Sequence, residues 1–185
     1  MDAFVLDCHP DPTRNEMVLW LKAARTGEVV AHREPFAPTF HVASRTGPHA
    51  LERVQRKLAC IPQVELDMVD KRLGLDHQPT RVLRVRVHTP GTFRHIARTV
   101  DKLGQHRRLD LYDVDLRISH QYLLSRDLFP FARVAYDGQA VTLQDHQWAL
   151  DYQPPELTKA KLEAQPATPE GNVPSHQDPL AQATL

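Results

Sequence analysis

Apolar positions in the first forty residues fall in short runs, the pattern of strands rather than helices. Phe4, Val5 and Leu6 begin a first strand, which His9-Pro10-Asp11-Pro12 is expected to break. Met17–Ala23 is a second apolar run, and Arg25-Thr26-Gly27-Glu28 reads as the hairpin turn that ends it. Val29, Val30 and Ala31 start the return strand. Pro35 and Pro38 interrupt it before Phe40–Ala43 resumes, so residues 4–43 read as three strands.

The period then changes. Leu51, Val54, Leu58 and Ile61 recur at helical spacing over Pro48–Ile61, with Pro48 tolerated in a first turn. Val64, Leu66 and Met68 alternate with acidic residues, as on a half-buried strand. A turn over Gly74–Pro79 leads to Arg81–His88, where Leu83, Val85 and Val87 oppose Arg84, Arg86 and His88. Phe93, Ile96, Ala97, Val100 and Leu103 mark a second helix closed by Gly104. Leu109, Leu111 and Val114 belong to a last strand.

From Phe40 the order is β-α-β-β-α-β, a ferredoxin-like unit whose topology RNA-recognition modules also use. Two right-handed crossovers place both helices on one sheet face and leave the other open. A short helix near Ile118–Leu128 follows, then strands at Ala132–Tyr136 and Ala140–Leu143 around the Asp137-Gly138 turn. The expected fold class is α+β, with a ferredoxin-like core over about residues 40–115 flanked by small antiparallel β elements. That domain covers residues 1–153. Residues 154–185 hold six of the fifteen prolines and are expected to form a flexible tail.

Composition adds limits more than identity. The apolar share of 41% is enough for a core. No run of 18 apolar residues occurs, and the start lacks a basic and an apolar leader region, so a cytoplasmic protein without a membrane span is expected. Cys8 and Cys60 read as reduced thiols. Net charge is +0, yet residues 45–108 hold 14 Lys and Arg against 6 Asp and Glu. Such a basic middle suits a phosphate-binding face, or a solvated surface with partner charges elsewhere on the fold.

Little in the chain asks for catalysis. The eleven histidines show no helical His-x-x-x-His pair, and no Ser/His/Asp set or glycine-rich phosphate loop occurs. Asp113 and Asp115 stand two apart on an expected strand, where they could hold a divalent ion or hydrogen-bond a turn. No catalytic residue, metal site or cofactor is expected. Arg84 and Arg86 on the open sheet face, Arg94 and Arg98 one helical turn apart, and Arg107 and Arg108 beyond them are the candidate phosphate contacts. A sheet that stacks RNA bases would carry exposed aromatics on its central strands, and this one shows Arg84, Arg86 and His88.

Three segments, in order, resemble the opening region of archaeal-type family B DNA polymerases. His32–Phe40, ending Pro38-Thr39-Phe40, resembles the strand with that family's Phe-x-Pro-Tyr element. Leu111-Tyr112-Asp113-Val114-Asp115 and Gln121–Pro130 resemble its Tyr-x-x-Asp-Ile, Arg-Tyr-Leu and Gly-Leu-x-Pro succession. Trp148–Pro155 resembles the Tyr-x-x-Pro-Pro lead-in to a 3′–5′ exonuclease domain.

The family's exonuclease then needs Asp-x-Glu for its metal ions, and the matching stretch Ala160–Gln165 offers only Glu163. The resemblance therefore implies a truncated, split or inactivated polymerase front, with no catalysis of its own. It also implies a template-base pocket at Pro38, Thr39, Pro90, Phe93, Leu116 and Gln121. Thr39 stands where the family has Tyr, Leu116 where it has Phe, Gln121 where it has Arg, and Phe93 where it has a small aliphatic. Those six residues thus read either as a pocket or as core and loop.

The expected function is non-catalytic binding of single-stranded or template DNA, as an accessory or split polymerase piece. The rival is a protein-interaction module that docks on a separately encoded polymerase or replication protein. A gene remnant that still folds is the third reading.

Overall fold

The computed structural model describes residues 1–73, 78–146, 154–161, 163–168 and 180–184. The chain divides into two compact units, Met1–Pro154 and Pro155–Leu185. The first unit opens with β1 (Asp2–Asp11), β2 (Glu16–Ala23), β3 (Val29–Pro35) and β4 (Thr39–Ser44). It continues with α1 (Pro48–Leu58), β5 (Val64–Lys71), β6 (Thr80–Val87) and a 3-10 turn, Pro90–Thr92. Then come α2 (Phe93–Leu103), β7 (Leu109–Tyr112), α3 (Ile118–Ser125), β8 (Arg133–Tyr136) and β9 (Val141–Leu143).

The chain up to Ser44 thus makes four strands, not three, and Pro10 does not end the first. Pro10 pairs with Met17 inside the β1–β2 ladder. On its other side β1 meets β8 only at Asp2–Phe4, so Pro10 lies where that edge is open and its missing N–H costs no ladder bond. Gly27, at φ 73°, supplies the left-handed residue of the β2–β3 turn, where its N–H donates to the Ala23 carbonyl at 3.0 Å. The five strands order as β3-β2-β1-β8-β9, with every neighbour antiparallel.

One face of this sheet is apolar because β1 and β2 send Ala3, Val5, Met17, Leu19 and Leu21 to the same side. Tyr122 and Leu123 of α3 close over it with Leu128 and Val134. Tyr122 is buried to 1% exposure, and its hydroxyl donates to Glu34 Oε1 at 2.5 Å. Arg126 also binds Glu34, so α3 is tied to β3 by both a phenol and a guanidinium.

The second sheet has the order β5-β6-β4-β7, all antiparallel. With two helices in the crossovers, that is the ferredoxin-like arrangement. Alternation along β4 and β6 turns Phe40, Val42, Leu83, Val85 and Val87 toward the helices, where they bury Leu51, Val54 and Leu58 of α1. Phe93, Ile96, Ala97 and Val100 of α2 complete this core. Gly104 ends α2 at φ −79°, so left-handed freedom is not what it supplies. A Cβ there would stand 2.8 Å from Leu109 Cγ, and the left-handed turn falls instead to Gln105 and His106.

In the second unit, β10 (Glu163–Pro166) and β11 (Leu180–Thr184) pair antiparallel, with Glu163 opposite Thr184. No such ladder is predicted by the proline-rich composition of this stretch. The expected turn at Gly74–Pro79 falls largely outside the described residues, as do Trp148–Gln153 of the lead-in motif. No described helix is long and apolar enough to cross a membrane.

Candidate nucleic-acid interface

The basic strand does not present bare charge. In the β5–β6 ladder Glu65 stands opposite Arg86 and Asp67 opposite Arg84. Arg84 Nε donates to Asp67 Oδ1 at 2.8 Å, and Arg84 Nη2 reaches the second oxygen. Arg86 Nη1 contacts both Glu65 oxygens at 2.9 and 3.0 Å. The Arg84 hydrogen bond holds the Asp67 carboxyl below its ordinary value. A phosphate placed on this face would have to displace a carboxylate and then remain beside it, a like-charge cost that unpaired arginines do not impose.

Beside these pairs, His41 Nδ1 of β4 and Lys71 Nζ of β5 converge on Asp113 Oδ2 at 2.7 and 2.8 Å. Strand β7 ends at Tyr112, and Asp113 adopts a left-handed φ of 68°. Asp113 is therefore in the loop and joined to Lys71 and His41, while Asp115 is exposed, so the two do not share a strand face. Burial raises the Asp113 carboxyl, but hydrogen bonds from Lys71 and His41 outweigh it and hold the group below its usual value. Burial pulls the His41 imidazole down, and the Asp113 hydrogen bond only partly offsets this.

Both groups thus have depressed pKa values in the fold. Each contributes stability that is complete above its unfolded value, 6.5 for His41 and 3.8 for Asp113, and is lost as pH falls through the folded value. Burial is the larger cause for His41, but Lys71 lowers both groups, and Lys71→Met removes that contribution. Denaturant midpoints taken from neutral pH down to about pH 3 are expected to fall less steeply in Lys71→Met than in the parent. Superimposable pH profiles would contradict this account of the cluster.

The helical side carries charge of a different kind. Arg94 and Arg98 lie on the exposed side of α2, opposite its Phe93, Ile96, Ala97 and Val100 stripe. Arg107 and Arg108 follow in a loop fixed by their backbone N–H groups, both donating to the Gly104 carbonyl at 3.2 and 2.9 Å. None of these four forms an ion pair among the described residues. The same holds for Arg53, Arg56 and Lys57 on the exposed side of α1.

A groove of about 240 Å³ between α1 and the end of α2 is lined by His49, Arg53 and Arg108. The candidate set therefore splits. Arg84 and Arg86 sit paired on one sheet face, while Arg94, Arg98, Arg107 and Arg108 belong to the helical side. The α1 cations are missing from the sequence-derived set, although the helical period that buries Leu51, Val54 and Leu58 leaves 53, 56 and 57 outside.

The six residues implied as a base pocket are largely committed. Phe93 is 1% exposed, and its ring stands edge-on to Phe40 with centroids 5.5 Å apart. Gln121 accepts the Thr39 N–H at 2.9 Å and donates to the Asp113 carbonyl at 2.9 Å. Pro38 and Pro90 are buried, and the Pro38 carbonyl accepts the Val87 N–H at 2.9 Å. Leu116 alone of the six is exposed.

Three smaller features complete the inventory. Glu163 is exposed and paired with Lys161 Nζ at 2.5 Å. Among the described residues no three His, Cys, Asp or Glu converge as metal ligands. Cys8 and Cys60 are free thiols, and burial pushes the Cys8 thiol up to about 11.

No protein-family model matches the sequence, and no curated protein sequence matches it. Among solved structures the chain is similar to the family B DNA polymerase from the hyperthermophilic archaeon Pyrobaculum calidifontis, with a TM-score of 0.64. The match has 19% identity and covers 97% of this chain and 24% of that one. At that identity the likeness is one of fold.

Proposed function

We propose that this chain is a DNA-binding module built like the front of a family B polymerase, which holds single-stranded or template DNA and performs no chemistry. One observation carries the reading. Arg84 and Arg86 on the open sheet face are matched to carboxylates, whereas Arg94, Arg98, Arg107 and Arg108, like the α1 cations Arg53, Arg56 and Lys57, form no ion pair among the described residues. Unpaired arginines attract phosphates without a displacement cost, and releasing the counterions around those phosphates drives binding. The fold likeness to a polymerase supports DNA as the polyanion. Glu163, without the Asp of Asp-x-Glu, supports the absence of nuclease chemistry.

Anisotropy titration of a labelled single-stranded oligonucleotide tests the proposal. Binding is expected in the micromolar range at low salt, weakening steeply as salt rises. With Mg²⁺ or Mn²⁺ the same protein should neither extend a primer nor shorten a 3′ end. No DNA binding at low salt would sink the reading in favour of a module that docks on a polymerase or replication protein. Metal-dependent nuclease activity that disappears in Glu163→Ala would sink the non-catalytic part.

A further inference from the structure

Between α2 and β7 lies a groove of about 390 Å³, within the usual range for ligand sites. Its floor is apolar and comes from Ala97, Leu109, Leu111 and Val114. The reason for the opening is local. On the buried stripe of α2, Phe93 fills its position with a ring, but one turn later Ala97 offers only a methyl group.

Four charged residues line the groove, and two of them are already engaged. Asp110 binds Arg45 through both carboxylate oxygens, at 2.8 and 3.0 Å from Nε and 2.5 Å from Nη2. Asp101 accepts a hydrogen bond from His106. Arg94 and Arg98 remain, one helical turn apart on the same wall, with no ion-pair partner among the described residues. The groove therefore combines an apolar floor with a rim on which two unpaired arginines outnumber the one carboxylate, Asp101, that no arginine or lysine pairs.

We propose that this groove seats an unstacked base of single-stranded DNA, with Arg94 and Arg98 on the phosphates that flank it. The inference rests on the DNA-binding reading above and adds a base site to it. A nucleotide matches both features, since each repeat pairs one flat apolar face with one negative charge. Guanidinium planes also stack on exposed bases, and such contacts tolerate any sequence. A base held inside a duplex cannot enter, so the site discriminates for single strands. It is separate from the Pro38, Pro90 and Phe93 region, where the ring occupies the core.

The test compares an intact oligodeoxynucleotide with one of equal length and charge whose central positions are abasic. Wild-type protein should bind the intact strand about tenfold more tightly, the effect of roughly one stacked base. Ala97→Phe, which fills the floor, should bring the intact strand down to the abasic level. Equal binding of the two strands by wild-type protein would overturn the base site while leaving a phosphate-only surface in place. The same equality, with displacement of the strand by an acidic aromatic peptide, would also overturn it and assign the groove to a protein partner. Failure of both strands to bind would instead overturn the DNA-binding reading beneath it. The wild-type comparison needs no variant, so misfolding of Ala97→Phe cannot mask the answer.

Discussion

Phe93→Ala is expected to remove about 3–5 kcal/mol of folding stability, the cost of deleting a buried aromatic that its surroundings cannot refill. Phe93 is fully enclosed where the first turn of α2 meets β4, edge-on to Phe40. Its loss would open a cavity in the core that Leu51, Leu83, Val85 and Val100 share. Together with Phe40, those neighbours are held on two strands and two helices, so relaxation into the gap is limited. Denaturant unfolding of the variant gives the number directly. The same ring predicts no preference for uracil over thymine in otherwise identical oligonucleotides. A near-native midpoint together with a clear uracil preference would mean that the ring lines an open pocket.

Much of this core was legible from spacing alone. The stripe Phe93, Ile96, Ala97, Val100 and Leu103 gave α2 its full length, because a 3.6-residue period over eleven residues has few other meanings. Alternation in Arg81–His88 placed Leu83, Val85 and Val87 correctly against the helices. The first strands were harder to read. Pro10 looked like a break, and only the short reach of β8 along β1 makes it harmless.

The faces that carry the candidate arginines were legible in the sequence, but the carboxylate partners of Arg84 and Arg86 were not. Arg84 and Arg86 do point to the helix-free face. Their neutralisation depends on the β5–β6 register, which sets Asp67 and Glu65 opposite them. That register is a property of two paired strands, which single-strand periodicity does not describe. The acidic alternation of Val64–Lys71 was nonetheless the available signal, since two antiparallel neighbours of opposite charge pattern tend to pair. Gln121 shows a different limit. Its two hydrogen bonds join residues 82 and 8 positions away, and such partners emerge only from the tertiary fold.

The largest functional effect is expected on the helical side. Replacing Arg94, Arg98, Arg107 and Arg108 by Ala should lower the slope of log affinity against log salt by about three units. That follows from roughly 0.7 per lost phosphate contact on single strands. All four side chains are exposed and lie outside the core, so the variant should keep its stability. Arg84→Ala with Arg86→Ala removes nearly the same kind of charge from the opposite sheet face, where Asp67 and Glu65 already hold it. Salt titrations of these two variants beside the parent, on one oligonucleotide, therefore decide which face meets DNA. The expected result is a much flatter slope in the four-arginine variant and a parental slope in the sheet-face pair. A parental slope in the four-arginine variant, with the loss appearing in the sheet-face pair, would contradict it.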